Sequence, residues 1–403
     1  MQNCRRIAAL HVLVLVFLAA GNVEAATFTV TRTNTTGPGS LPVIINTANA
    51  TPGDNIIEFS VAGTIGMVVP LPVITNNLTI NGRSNIVISG SGVTNLFAFG
   101  TGTTNVLYAL TIQDAMFSGY GAAVSNAGTL TISACVLTNN SAISGRGGAI
   151  YNAGVLTLVG CTVVSNKAGT GGAIYSTNAA TIVTSAVSGN QSTNGNGGAI
   201  FASAPLSISD SSLTDNNATN FNGGAIYSSG PLTLTNSPLA GNIAGNGGAI
   251  YSLGQLTISS LTISNNQALL AFGGGVFSAS DLIINAATVV GNRANGQSGQ
   301  NGGLGGGAGG GGGGGAGLGG GLFHTNGSAL VTNCTFSGNV AQGGSAGTAF
   351  QNGVLQGGRG GGNNFGLGGI PTGSGMPGAF GGGGGGGGAD SSGGGAGGFG
   401  AGR

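Results

Sequence analysis

The chain of 403 residues has no Trp, two His, four Cys and only 4% charged residues. These shortages exclude much chemistry. Nine basic and eight acidic side chains leave a formal charge of +1, too little to draw the chain to nucleic acid or an anionic membrane. His11 lies in a leader, so His324 stands alone, with no second His or Cys at ligand spacing to hold a metal. GxGxxG recurs within glycine runs, but no helix start and no Gly-Lys follows, so it carries no nucleotide signal. Calcium-binding nonapeptides place Asp after GGxG, and these runs have none before Asp390. No cofactor and no metal are expected.

Long apolar runs are scarce too. The one at residues 7–20 follows Arg5 and Arg6 and leads to Val23-Glu24-Ala25, the layout of a cleaved secretory signal over residues 1–25. It is too short for a membrane span, and no lipoprotein Cys follows it. The protein is read as exported, its mature form without a transmembrane segment.

What the sequence has in abundance is glycine, 88 residues of it. GGAI returns at Gly147, Gly171, Gly197, Gly223 and Gly247, and an Asn follows each first Gly by 19 residues, at Asn166, Asn190, Asn216, Asn242 and Asn266. Weaker copies extend the frame: GAAV at Gly121 leads to Asn140, GGGV at Gly273 to Asn292, and GGGL at Gly319 to Asn339 in 20. The step from each Asn to the next Gly varies, mostly between 5 and 7 residues and once 27. A fixed segment alternating with a corner of free length is the signature of stacked coils.

With the first Gly as position 1, residues 147–166 place apolar side chains at positions 4, 10, 12, 15 and 17. Alternation within 10–12 and 15–17 is the period of a strand with one buried face, and the broken parity between them marks a turn. Position 4 reads Val124, Ile150, Ile174, Ile200, Ile226, Ile250, Val276 and Leu322, and positions 12 and 17 are as uniform. The expected fold is all-β: a single-stranded parallel β-helix of about eight regular three-strand coils over residues 119–341. A cap and about three irregular coils precede it over 26–118. Ser40, Pro42 and the side formed by Leu41, Ile44 and Ala48 point to a short capping helix, which shields the raw strand edges of the first coil. Residues 297–318 are read as a glycine-rich corner insertion, and 342–403 as a low-complexity, disordered tail.

GGAI followed by an aliphatic-x-x-Asn resembles the repeat of the polymorphic outer membrane proteins, which pairs GGA and an aliphatic with FxxN; Phe336-Ser337-Gly338-Asn339 matches that second half in full. Gly37 to Leu41, GPGSL, with the later NIIEF, is similar to the N-terminal cap of secreted β-helix proteins of that wider group. The resemblance covers roughly residues 26–341 and implies a right-handed, pectate-lyase-like helix carried at or beyond the outer membrane, usually adhesive. Two departures stand against it: GPGSL runs into Pro42-Val43-Ile44-Ile45 rather than a charged helix, and no barrel or anchor motif is present.

Several columns are candidate sites. The aromatics Tyr151, Tyr175, Phe201, Tyr227, Tyr251 and Phe277, with Phe323, occupy position 5 and should face outward. They form either a stripe for sugar rings or a partner, or a ladder that steadies a half-exposed sheet. The Asn column, from Asn140, Asn166, Asn190, Asn216, Asn242 and Asn266 to Asn292 and Asn339, is read as a structural ladder of turn caps, with a ligand row as its rival. Cys135, Cys161 and Cys334 share position 15, as interior filling or, for the first two, a disulfide between adjacent coils. The best carboxylate pair, Asp210 with Asp215, falls on different strands with no acid stacked on either, and reads as two turn residues. The expectation is therefore a non-catalytic, adhesin-like scaffold at the cell surface or outside the cell. Its partner would be a surface glycan or a protein of a host or neighbouring cell. A carbohydrate-binding or polysaccharide-degrading β-helix is the alternative, and an autotransporter passenger lacking its barrel a third.

Overall fold

The computed structural model describes residues 25–298 except Val93, residues 315–345, and the backbone of 349–351 and 354–356. The leader, most of the corner insertion and most of the tail lie outside the described residues.

The chain forms the expected right-handed parallel β-helix, a solenoid of about ten turns. One coil contains the strands Ile150–Asn152, Val155–Val159, Thr162–Val164 and Lys167–Thr170. Stacked, these build one 21-stranded sheet and two nine-stranded sheets. The register is the one the repeat demands. Ile150 pairs with Ile174, Ile174 with Ile200, and Ile200 with Ile226, and the column is fully buried.

Two details differ from the sequence reading. The two apolar pairs of each coil lie in the same large sheet rather than in separate ones, because the early strands Leu78–Ser89 and Thr104–Gln113 run through both arms unbroken. The corner of free length is itself a strand, and where a coil with a 7-residue step is followed by one with a 5-residue step the register shifts. This occurs between Ala142 and Arg146 and again between Ala218 and Asn222. Two extra residues are absorbed as a bulge.

Three positions per coil turn the chain through left-handed backbone: position 1 (Gly147, φ 68°), position 14 (Gly160, φ 61°; Asp210, φ 51°) and position 19 (Ser165, φ 57°; Asp215, φ 56°). Position 2 has a different need. A Cβ on Gly198 would lie 2.0 Å from the carbonyl oxygen of Gly224 in the next coil. The GG pair therefore answers to two constraints, a turn and a close approach of backbones.

The helix Leu41–Ala50 covers the first coil, with Pro42 in its first turn. It buries Leu41, Ile45 and Ala48, so Ile45 takes the place expected of Ile44; the spacing i, i+4, i+7 keeps one face inward. Ser40 stands at the N-cap, but its hydroxyl makes no capping bond. The insertion is held at its rims, where Leu318 N–H donates to Ala271 O and Gly315 N–H to Gln297 O. Within the tail expected to be disordered, Ala349–Gln351 and Val354–Gln356 form an antiparallel pair.

Gly198→Ala is expected to cost more than about 3 kcal/mol, since backbone must move. Gly160→Ala, with open space around its Cβ and Ala134 already in the same conformation at the same turn of the preceding coil, should cost only about 1 kcal/mol. Urea unfolding of the two variants measures the difference, and equal costs would contradict the close-approach assignment.

Candidate functional site

Stacking turns each chemically distinctive position into a column, so the candidate sites are ladders rather than pockets. In the Asn ladder each amide donates to the next: Asn140 Nδ2 to Asn166 Oδ1 at 3.0 Å, Asn166 to Asn190 at 3.0 Å, Asn190 to Asn216 at 3.0 Å, and Asn216 to Asn242 at 3.0 Å. Asn242 to Asn266, Asn266 to Asn292 and Asn292 to Asn339 continue it at 2.9 Å. The second amide hydrogen goes to a carbonyl of the preceding coil, as from Asn166 to Leu137 O at 3.0 Å. Each Oδ1 also accepts the backbone N–H of the Asn before it. The amides from Asn140 to Asn292 are buried and leave nothing to offer a ligand. The left-handed residue of this turn is the one before each Asn, not the Asn itself.

The position 5 aromatics face out of the tube and stack. Tyr151 and Tyr175 have centroids 5.8 Å apart, Tyr175 and Phe201 4.5 Å, Phe201 and Tyr227 5.0 Å, Tyr227 and Tyr251 5.6 Å, and Tyr251 and Phe277 4.2 Å, all within 13° of parallel. Both faces of each ring are therefore occupied by its neighbours, and only edges and hydroxyls meet solvent. A pyranose that binds by laying its C–H groups on a ring face has no face to use here. Tyr120 and Phe272, which sequence reading missed, extend the stack at its two ends. The signal for Tyr120 was Ser125 breaking the aromatic column in the coil that Tyr120 precedes. Arg146 lies over Tyr120 and Tyr175, its guanidinium carbon 5.5 and 4.9 Å from the ring centroids. Desolvation raises the hydroxyl pKa of Tyr175, Tyr227 and Tyr251, with Arg146 opposing the rise at Tyr175.

A second internal polar column was also missed. At position 6 Asn126 Nδ2 donates to Asn152 Oδ1 at 2.8 Å, and Asn152 to Ser176 Oγ at 2.9 Å. A polar residue directly after every aromatic of the column but Phe201, which precedes Ala202, was its signature in the sequence. His324 is in register with this column, opposite Ser278, and is half-buried. The inserted residue of its coil therefore falls after position 6.

The acids do not converge. Asp210 and Asp215 hold left-handed turns, and Asp210 Oδ1 accepts from Asn236 at 2.8 Å. Hydrogen bonds from Ser328 N–H and Oγ lower the pKa of the exposed Asp281 carboxyl. No group of three or more His, Cys, Asp or Glu gathers among the described residues. A shallow, open depression of about 340 Å³ is lined by Ser91, Gly92, Asp114, Ala115, Met116, Asn139 and Ser141 and contains a single carboxylate. Arg146, Lys167 and Arg293 lie in the corner column without clustering, and the only ion pair among the described residues is Arg83 with Glu58 at 2.5 Å. None of the described helices is long and apolar enough to cross a membrane.

Cys135 and Cys161 are free thiols in the interior, not a disulfide. Cys135 donates to Ser133 O at 3.2 Å and Cys161 to Ile132 O at 3.2 Å.

No protein-family model matches the chain, and no curated protein matches it. What its geometry defines is a class, the parallel β-solenoid with internal amide ladders.

Burial pushes the Cys135 thiol from 9.0 up to about 12, against the lowering effect of the Leu110 N–H. The folded chain thus holds this proton more tightly than the unfolded chain. Its contribution is intact below about pH 9 and lost as pH rises towards 12, by up to about 4 kcal/mol. Urea titrations across that window should show a steeper loss for the native chain than for Cys135→Ala. Parallel profiles would contradict a buried neutral thiol.

Proposed function

We propose that the protein is an exported β-helix scaffold of the polymorphic-outer-membrane-protein type, presented at the cell surface or outside the cell, and that it adheres to another surface without catalysis. One observation carries this reading. On the outer face of the large sheet, between the coils that begin at Gly121 and Gly273, the columns at positions 11, 13, 16 and 18 contain no charged residue. Position 11 reads Thr131, Thr157, Thr181, Ser207, Thr233, Thr257 and Ile283, in register from coil to coil.

Side chains of nearly equal length in registered rows make an even, uncharged flank. Among the described residues the Thr and Ser hydroxyls of these rows form no side-chain hydrogen bond to the protein. The nearest such contact lies one coil further on, from Thr332 Oγ1 to Asn285 Oδ1 at 3.0 Å. A broad face with free donors and acceptors and no charge suits contact with a neutral, hydroxylated or amide-bearing surface, such as a glycan coat or a protein flank. The dispersed carboxylates and the covered faces of the aromatic stack give the catalytic and sugar-stacking alternatives less to work with.

Cell fractionation with mass analysis should find the chain in the surface or medium fraction, beginning at Ala26. Beads coated with it should adhere to cells, and Thr181→Lys with Thr233→Lys and Thr235→Lys should reduce adhesion about tenfold while leaving the melting temperature nearly unchanged. A cytoplasmic chain, adhesion indifferent to the triple change, or turnover of a uronate polymer would each overturn the reading.

A further inference from the structure

The two ends of the solenoid are finished differently. At the first coil the helix Leu41–Ala50 buries Leu41, Ile45 and Ala48 against the core. At the last coil no described element covers the inward columns. Val331 is 41% exposed and Phe336 43%, whereas Ile284 and Val289, directly beneath them in the same inward columns, are fully buried. Cys334 is half-exposed where Cys135 and Cys161 are buried. Among the described residues the strands Leu322–His324, Ala329–Thr332, Thr335–Ser337 and Val340–Gln342 pair only with the coil below. An open apolar end with a full set of free strand edges invites aggregation unless something covers it.

A second, independent feature lies within reach. Ala349–Gln351 and Val354–Gln356 form an antiparallel pair in which Phe350 is opposite Leu355 in the register. Asn352-Gly353 between them is the strongest two-residue hairpin signal. An isolated two-stranded hairpin is marginal in water and needs an apolar surface to rest on. Only residues 343–348 separate it from the end of the last strand, a span of at most about 25 Å when extended.

We propose that the strand pair Ala349–Gln351 and Val354–Gln356 caps the last coil of the solenoid, with the Phe350–Leu355 register pair docked on its Val331–Phe336 end. The rival occupant is a second copy joined end to end. A coil with sides of four or five residues offers an end face on the order of 500 Å², short of the ~800 Å² per partner of a stable interface. A tethered hairpin needs no such area, because a short linker supplies an effective concentration in the millimolar range. An antiparallel cap also stops growth, since it does not continue the parallel coil. This inference does not depend on the adhesive reading.

Thiol labelling read residue by residue tests it, with Cys135 and Cys161 as buried references. In the full mature chain Cys334 is expected to label slowly. Removing residues 346–403, or making Phe350→Asp with Leu355→Asp in the full chain, should speed its labelling at least about tenfold and leave the references unchanged. Equal Cys334 rates in all three proteins would overturn the proposal. So would Cys334 protection in the full chain that fades on dilution while light scattering reports a dimer, because a second copy would then be the cover.

Discussion

Each side chain in this helix lies one strand spacing, about 4.8 Å, from its counterpart in the next coil. That constraint orders the rest. A residue type is admitted to a column only if it tolerates a copy of itself at that distance. Aliphatics do, by packing; amides do, by donating one to the next; aromatic rings do, by stacking face to face; small hydroxylated side chains do, by remaining solvated. Like charges do not. Two unit charges at 4.8 Å repel by roughly 1 kcal/mol in bulk water and several kcal/mol near a protein surface. The 4% charged composition is then a consequence of the architecture, and of the acids that remain Asp114, Asp210 and Asp215 hold left-handed turns.

The same constraint explains which features were legible in the sequence. A column is a repeated letter, so the position 4 isoleucines, the aromatic row and the Asn row could be read off directly. What a single coil decides alone was harder. Ile45 rather than Ile44 faces the core because the helix is used once and leaves no column to average over. The corner strand was hidden because its length changes between coils, and only the register shifts at Ala142 and Ala218 show how the extra residues are stored.

The candidate site was legible in its residues and less so in its meaning. Spacing showed that Tyr151, Tyr175 and Phe201 align, but not whether their rings lie flat on the surface or pack on one another. Centroid distances of 5.8 and 4.5 Å settle that they pack on one another. The polar face of the Asn row likewise turns inward, where each amide is saturated. The outer rows of Thr and Ser drew no attention in the sequence because those residues are common in strands. Their lack of internal partners and of charged neighbours became visible only once the coils were stacked.

Pulsed electron-spin distances between labels in one outer column test the stacking most directly. From a label at Thr131, partners at Thr233, Thr257 and Ile283 lie four, five and six coils away, through the register of that column. The separations are expected to rise in even steps of about 4.8 Å, near 19, 24 and 29 Å, whatever the corner lengths between them. Distances that followed the number of intervening residues instead, or failed to increase in equal steps, would contradict the solenoid on which the whole account rests.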